Sequence, residues 1–265
     1  MKKIYINPQS KGGLGKSFET ECRIAWLDAI GVQWKGYDLD DRHHTFADRH
    51  PSKVQLVNLD DGSKDVLLGV FFEVFQSSEP VIVIDTRAQA DRLILEAFTQ
   101  LRIFERAEEE NSRFVISLFP TDDNESMENL RSIIQWGARK ADYVIIRNKI
   151  RARSIMFDQS SMQRTLIDKL DAKEINIPSI TTTSIQALEK VEREERKSIG
   201  FNEFASGWKG VDPLITGEYA YLLGQMASQY NEISSFLLPE TELGKVVKCK
   251  STSALKTIEK LDLSI

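Results

Sequence analysis

The sequence is short of residues that staple or ligate. Its two cysteines, Cys22 and Cys249, stand far apart without metal-type spacing. They frame no disulfide scaffold and suit a reducing cytoplasm, the expected location. No run approaches the ~18 apolar residues that a membrane-spanning helix needs. The opening MKKIYINPQS carries two lysines with no long apolar region behind them, so a secretory signal is not expected. Internal repeats, low-complexity tracts and linkers rich in Gly, Pro or Ser are missing. Excess positive charge is also missing: the net charge of −5 argues against a globally basic nucleic-acid coat, although a local basic patch remains open.

What is present is a chain of 265 residues, 41% hydrophobic and 28% charged, long enough to bury a sizeable core. Short apolar runs alternate with helical patterns. Ile4–Ile6, Val32–Leu39, Val54–Leu59, Pro80–Asp85, Arg113–Phe119, Tyr143–Ile146 and Glu174–Ile177 read as strands. Lys16–Ile30, Lys64–Gln76, Ala90–Glu110, Asn124–Lys140, Met162–Leu170, Thr183–Lys197 and Tyr219–Ser234 read as helices. This alternation predicts a doubly wound α/β fold, a mainly parallel sheet with helices on both faces. One domain over 1–238, followed by a polar, weakly patterned tail over 239–265, is the simplest organisation.

Between the first strand and the first helix stands SKGGLGKSF, residues 10–18. A bound phosphate needs converging backbone N–H donors, and Gly12, Gly13 and Gly15 leave room for them. A helix starting near Lys16 points its positive end at the anion. Lys16 can reach β- and γ-phosphates, and Ser17 can ligate Mg²⁺. Ser10 stands where the commonest form of this loop has glycine, and Lys11 follows it. The alternative for Lys11 is a solvated loop lysine.

K-G-G-L-G-K-S resembles the deviant Walker A motif of the ParA/MinD family of ATPases. The resemblance implies a P-loop NTPase fold, with the loop from Lys11 through Gly12, Gly13, Leu14, Gly15, Lys16 and Ser17 to Phe18 around the phosphates of ATP. It also implies that Lys11 is the signature lysine that reaches, in an ATP-bound homodimer, the phosphates of the partner subunit. A cation delivered in trans ties catalysis to dimerisation, as an arginine finger does. Further motifs follow in order. Tyr37-Asp38-Leu39-Asp40-Asp41 resembles the acidic pair of the first switch region. It implies Asp40 as the residue that positions the attacking water and Asp38 as support for Mg²⁺ or that water. Val81–Thr86 resembles the second acidic strand, with Asp85 holding Mg²⁺, although Arg87-Ala88-Gln89-Ala90 replaces the proline and glycine usual there. Val144–Lys149 resembles the late strand whose Asn, here Asn148, contacts adenine, with Pro178 in a loop against the base. The ordered match ends near residue 180.

The function implied is an Mg²⁺- and ATP-dependent dimerising ATPase in plasmid DNA partition, positioning or conjugal transfer. Plasmid-borne TraL-like or StbB-like members are the most similar, and a DNA-binding adaptor or transfer protein is the implied partner. Two other classes stay open: a dethiobiotin-synthetase-like enzyme that phosphorylates a small molecule, and a non-hydrolysing nucleotide-sensing adaptor. Arg147, Lys149, Arg151 and Arg153 offer phosphate-directed, non-specific DNA contacts, or else form an ordinary solvated loop. The adjacent His43 and His44 diverge in extended structure and make a poor metal pair. Lys245–Leu263 is amphipathic but lacks an aromatic anchor, so docking on the body is expected rather than membrane binding. Phe71, Phe72 and Phe75 are expected to face the core, and any exposed member would mark a partner site.

Overall fold

Seven short runs, rich in β-branched and aromatic residues, pair side by side in one all-parallel sheet with the order β3-β2-β4-β1-β5-β6-β7. The strands are β1 (Lys2–Ile6), β2 (Trp34–Asp38), β3 (Val54–Leu56), β4 (Val81–Asp85), β5 (Ser112–Leu118), β6 (Ala141–Arg147) and β7 (Lys173–Asn176). The computed structural model describes residues 1–40, 42–59, 63–88, 90–148 and 154–246.

Successive strand residues point to opposite faces. In β4, Ile82 and Ile84 enter one core while Val81 and Val83 enter the other; in β6, Tyr143 and Ile145 oppose Val144 and Ile146. Both faces are covered, so these strands read as continuous apolar runs rather than alternating ones.

Right-handed crossovers decide which helix covers which face. The chain moves one way along the sheet from β1 to β3 through α1 (Lys16–Ala29) and α2 (Thr45–Arg49), which pack on one side. It moves the other way from β3 to β7 through α3 (Ser63–Gln76), α4 (Asp91–Gln100), α5 (Ile103–Glu109), α6 (Asn124–Gly137), and the single turns α7 (Ile155–Asp158) and α8 (Ser161–Arg164), on the opposite side. The last helices, α9 (Thr182–Glu195), α10 (Phe201–Ala205), α11 (Pro213–Glu232) and α12 (Ser234–Leu237), return to the face of α1. The expected doubly wound α/β architecture is therefore present.

Several boundaries differ from the sequence reading. The single helix expected over Ala90–Glu110 is two, because Arg102 adopts a left-handed φ of 53°. The break lets Phe104 join Phe98 and Phe114 in an aromatic cluster, with centroids 5.3 and 5.5 Å from Phe104. The helical pattern continues on both sides of the break, so periodicity did not reveal it. Helix α11 starts at Pro213, behind the side-chain cap of Asp212, six residues before the expected Tyr219. Phe71 is buried and Phe75 packs beside it, but Phe72 is 66% exposed and does not face the core. At the start of the expected tail, Val246 is buried and Lys245 Nζ donates to Gly31 O at 2.9 Å. Residues 247–265, with Cys249 and the rest of the amphipathic stretch, lie outside the described residues.

One buried ion pair anchors α1. Arg23, 1% exposed, donates to Glu19 Oε1 from Nε at 2.9 Å and from Nη2 at 2.6 Å, and to Ser117 Oγ on β5 at 3.2 Å. Tyr230 of α11 donates to the same Glu19 oxygen at 2.7 Å, and the guanidinium lies 4.4 Å from the centroid of the Tyr5 ring. Removing one partner of such a pair leaves an uncompensated buried charge. Glu19→Ala is expected to lower unfolding free energy by about 3–5 kcal/mol in urea titrations. A loss under about 1 kcal/mol would mean that water reaches the guanidinium.

Candidate functional site

In an open parallel sheet the functional crevice lies at the carboxyl ends of the strands, where chain direction along the sheet reverses. Here β1 and β4 are neighbours at that point, and the glycine loop leaves β1. Gly13 and Gly15 hold φ values of 72° and 96°. Gly15 ends the loop as the residue before α1, with no side chain capping the helix. The first N–H groups of α1 therefore await an acceptor from outside the helix. A Cβ on Gly15 would stand 2.5 Å from Asn148 Nδ2, so both backbone angle and space demand glycine there.

The loop is braced from three sides. Gln9 bridges to the end of β5, donating to Phe119 O at 3.0 Å and accepting from Phe119 N at 2.5 Å. Lys16 Nζ turns back into the loop and donates to Gln9 O at 2.6 Å and Lys11 O at 3.4 Å. Asn148, at the end of β6, donates to Leu14 O at 2.8 Å. Leu14 itself is buried in the core and reaches the loop only through its backbone.

Acids occupy the ends of β2 and β4. Asp85 Oδ2 accepts the Ser17 hydroxyl at 2.8 Å. Its Oδ1 is buried with no hydrogen-bond partner among the described residues. Burial pushes the Asp85 carboxyl up to about 7, against the pull of the Ser17 hydroxyl and Lys16 and with the push of Asp38 and Asp40. Burial likewise lowers Lys16, while Asp85, Asp40 and Asp91 act to raise it. Asp38 accepts the backbone N–H groups of Asp40 and Ala47, each at 3.0 Å. It thereby fixes the turn that carries Asp40, and burial raises its carboxyl despite those bonds. Asp40 accepts the N–H groups of Arg42 and His43 and lies on the crevice wall.

These residues line a cleft of ≈520 Å³, a volume within the range of small-molecule sites. Gly12, Gly13, Gly15, Lys16, Ser17 and Phe18 form its floor, and Asp40, His43, Thr86, Ala88 and Asn148 stand around it. Ile177, Ile180 and Ile185 also line it. Pro178 lies between two of these isoleucines and is itself half-buried outside the lining. Sequence reading passed over Ile180 and Ile185; they fall in a loop and a helix start with no motif to mark them. Lys11 is not part of the lining: its side chain is 46% exposed and pairs with Asp123.

The donor set suits a hard cation. An orphaned carboxylate oxygen on Asp85 and the Ser17 hydroxyl offer the oxygen ligands that Mg²⁺ takes beside water and substrate phosphates. Among the described residues no group of three His, Cys, Asp or Glu side chains could hold a metal ion by itself. His44 is engaged with Asp48 at 2.8 Å.

The basic patch needs correction. Arg147 is buried, donates to Ser154 Oγ and pairs with Asp158 and Glu174 at 2.7 and 3.0 Å. It is an internal strut rather than a surface cation, while Lys149, Arg151 and Arg153 lie outside the described residues. No helix among the described residues is long and apolar enough to cross a membrane.

No protein-family profile matches the chain, and no curated protein matches it. Among solved structures, the chain is similar to a candidate plasmid partition protein from Borrelia burgdorferi B31 bound to AMPPNP. The identity is 15% and the TM-score 0.41, over 86% of this chain and 100% of that one.

The buried carboxyl sets a pH dependence. The usual value for Asp85 is 3.8, and in the fold it is about 7. Between these values the folded chain keeps a proton that the unfolded chain has released. Ligand-free stability therefore falls as pH rises through that window and levels off above it. Asp85→Asn is expected to flatten this slope between pH 5 and 7 and to raise the ligand-free melting temperature at pH 8. An unaltered slope in thermal melts would show that Asp85 is not the group responsible.

Proposed function

We propose that this chain is an Mg²⁺- and ATP-dependent ATPase of the ParA/MinD kind, which closes into a homodimer on ATP and acts as a switch in the partition, positioning or transfer of plasmid DNA. The observation that carries the reading is the divergence of the two loop lysines. Lys16 folds into the glycine loop, whereas Lys11 leaves the cleft, half-exposed and paired with Asp123. A lysine on the outside of its own cleft is placed to reach the cleft of a second copy.

In this reading the N–H groups of the loop and of the first turn of α1 hold the β- and γ-phosphates, and Lys16 exchanges its carbonyl partners for phosphate oxygens. Ser17 and Asp85 would hold Mg²⁺, which when bound would supply positive charge beside the phosphates. Asp40 orients the water that attacks the γ-phosphorus as ADP leaves. Lys11 of the second copy supplies the last positive charge. Asn148 braces the loop, and the apolar wall of Ile177, Ile180 and Ile185 takes the nucleoside end.

Molar mass by light scattering tests this, measured without nucleotide, with ADP, and with ATP plus Mg²⁺. The expected result is a monomer that doubles in mass only with ATP and stays dimeric in Asp40→Ala. Lys11→Ala should still bind nucleotide but lose the ATP-dependent dimer and lower hydrolysis by about 10²–10³-fold. Lys16→Ala should lose binding itself. A mass indifferent to nucleotide, or full turnover in Lys11→Ala, would overturn the dimer reading and favour phosphorylation of a small molecule by a single subunit.

A further inference from the structure

The apolar wall of the cleft stands on a segment outside the sheet. Ile177 and Ile180 lie on the strap that joins β7 to α9, and Ile185 follows in the first turn of α9. Ile177 N still donates to Arg147 O at 2.9 Å, and beyond it the strap leaves the sheet. Helix α11 grips this strap at both ends. Before it, Gln229 meets the backbone of Asn176 face on: Asn176 N donates to Gln229 Oε1 at 2.7 Å, and Gln229 Nε2 donates to Asn176 O at 2.8 Å. After it, the Glu218 carboxylate accepts Thr181 N at 2.8 Å, Thr181 Oγ1 at 2.7 Å and the hydroxyl of Ser184. Thr181 is the cap of α9, and its own oxygen accepts Ser184 N at 3.2 Å. Partial burial opposes the charge of Glu218, but the bonds from Ser184 and Thr181 prevail and hold its carboxyl below the ordinary value. Hydrogen bonds to an ionised acceptor are about twice as strong as neutral ones.

The same helix is fixed to α1. Tyr230 donates to Glu19 Oε1 at 2.7 Å, Trp26 Nε1 donates to Asn231 Oδ1 at 2.9 Å, and Tyr219, Leu222 and Met226 are buried on the core side of α11. Helix α1 opens with Lys16 and Ser17 at the phosphate end of the cleft. One helix thus carries both ends of the site. We propose that Glu218 and Gln229 are positioning residues: through α11 they hold the apolar wall at a fixed place relative to the glycine loop, so that the cleft favours a nucleoside triphosphate over a bare polyphosphate. The inference rests on the nucleotide reading above and is independent of the dimer. Eleven residues make about three helical turns, so both side chains leave the same face of α11. Neither is among the residues that line the cleft, so each acts on the wall through the strap. A strap held before the ligand arrives leaves the nucleoside no ordering to supply, and a loose one makes binding bear that cost.

Glu218→Ala removes the grip on Thr181, and Glu218→Gln keeps the size and one acceptor oxygen while losing the charge. Gln229→Ala frees the other end. Dissociation constants are measured by calorimetry for Mg·ATP and for inorganic tripolyphosphate with Mg²⁺, which carries the phosphates without a nucleoside. Thr181→Ala and the double variant Glu218→Ala with Thr181→Ala complete a cycle that shows whether Glu218 acts through Thr181.

The expected result is Mg·ATP binding weakened about tenfold in Glu218→Ala, with smaller losses in Glu218→Gln and Gln229→Ala and with tripolyphosphate affinity unchanged in all three. The double variant is expected to bind ATP no more weakly than Glu218→Ala alone. Equal losses for both ligands would overturn the inference, because Glu218 would then support the fold as a whole rather than the wall. Unchanged ATP affinity in both Glu218 variants would overturn it too, since the strap would hold the wall unaided. A parent chain that bound ATP no better than tripolyphosphate would remove the wall's role and leave the phosphate loop standing. If the parent chain bound neither, the nucleotide reading itself would fail, and this inference with it.

Discussion

The arrangement depends on charge held in a nearly dry place. At the carboxyl edge of a sheet that is apolar on both faces, Lys16 and Asp85 are both buried. Neither is comfortable there: burial lowers the amine and raises the acid. Each is partly compensated by the other, and the remainder comes from neutral groups, a carbonyl of Gln9 for Lys16 and the hydroxyl of Ser17 for Asp85. Neutral partners are weaker than ionic ones. Phosphate oxygens on the lysine and a divalent cation on the acid would replace them with opposite charges. Both buried groups are thus short of a direct ionic partner.

That shortage has to be maintained by the surroundings, or the groups would relax onto each other. Gln9, Asn148 and Asp38 do this work, and none needs to touch a substrate to do it. Gln9 ties the loop to β5, Asn148 ties it to β6, and Asp38 fixes the turn before α2. The buried Arg23–Glu19 pair extends the bracing to the helix behind the loop, joining α1 to β5 and α11. Such rigidity keeps the donors of the loop in place. It also means that substitutions at Gln9 or Asn148 act on the site through the loop backbone.

The parallel sheet and the glycine loop were legible in the sequence because each rests on a local pattern. Val81–Asp85 is a strand wherever it sits, and three glycines ahead of Lys16-Ser17 need a turn before a helix. Leu101-Arg102 was not legible: its helical spacing is intact, and only the packing of Phe104 against Phe98 and Phe114 explains the break. Phe72 was misplaced for a related reason. Three aromatics on one helix suggest a core face, yet residues 71 and 72 stand about 100° apart on a helix, and with Leu67, Val70, Phe71 and Val74 filling the inward face Phe72 falls beyond it. Arg147 looked like one of four surface cations, and its carboxylate partners Asp158 and Glu174 come from elements far enough along the chain that no spacing rule links them. The apolar wall of Ile180 and Ile185 went unseen because isoleucine in a loop carries no chemical signature.

The two lysines of the loop show why position matters more than residue type. A second amine placed beside Lys16 would share the same few carbonyls and suffer the same burial, and two unneutralised ammonium groups in that space would repel one another. Residue 11 lies five positions earlier, on the outer arm of the loop, where its side chain finds water and the Asp123 carboxylate. Burial and repulsion thus place one lysine inside and leave the other outside before any partner arrives. The sequence order of the two lysines, together with the direction of the loop, therefore leaves one positive charge in the cleft and one on the outer surface.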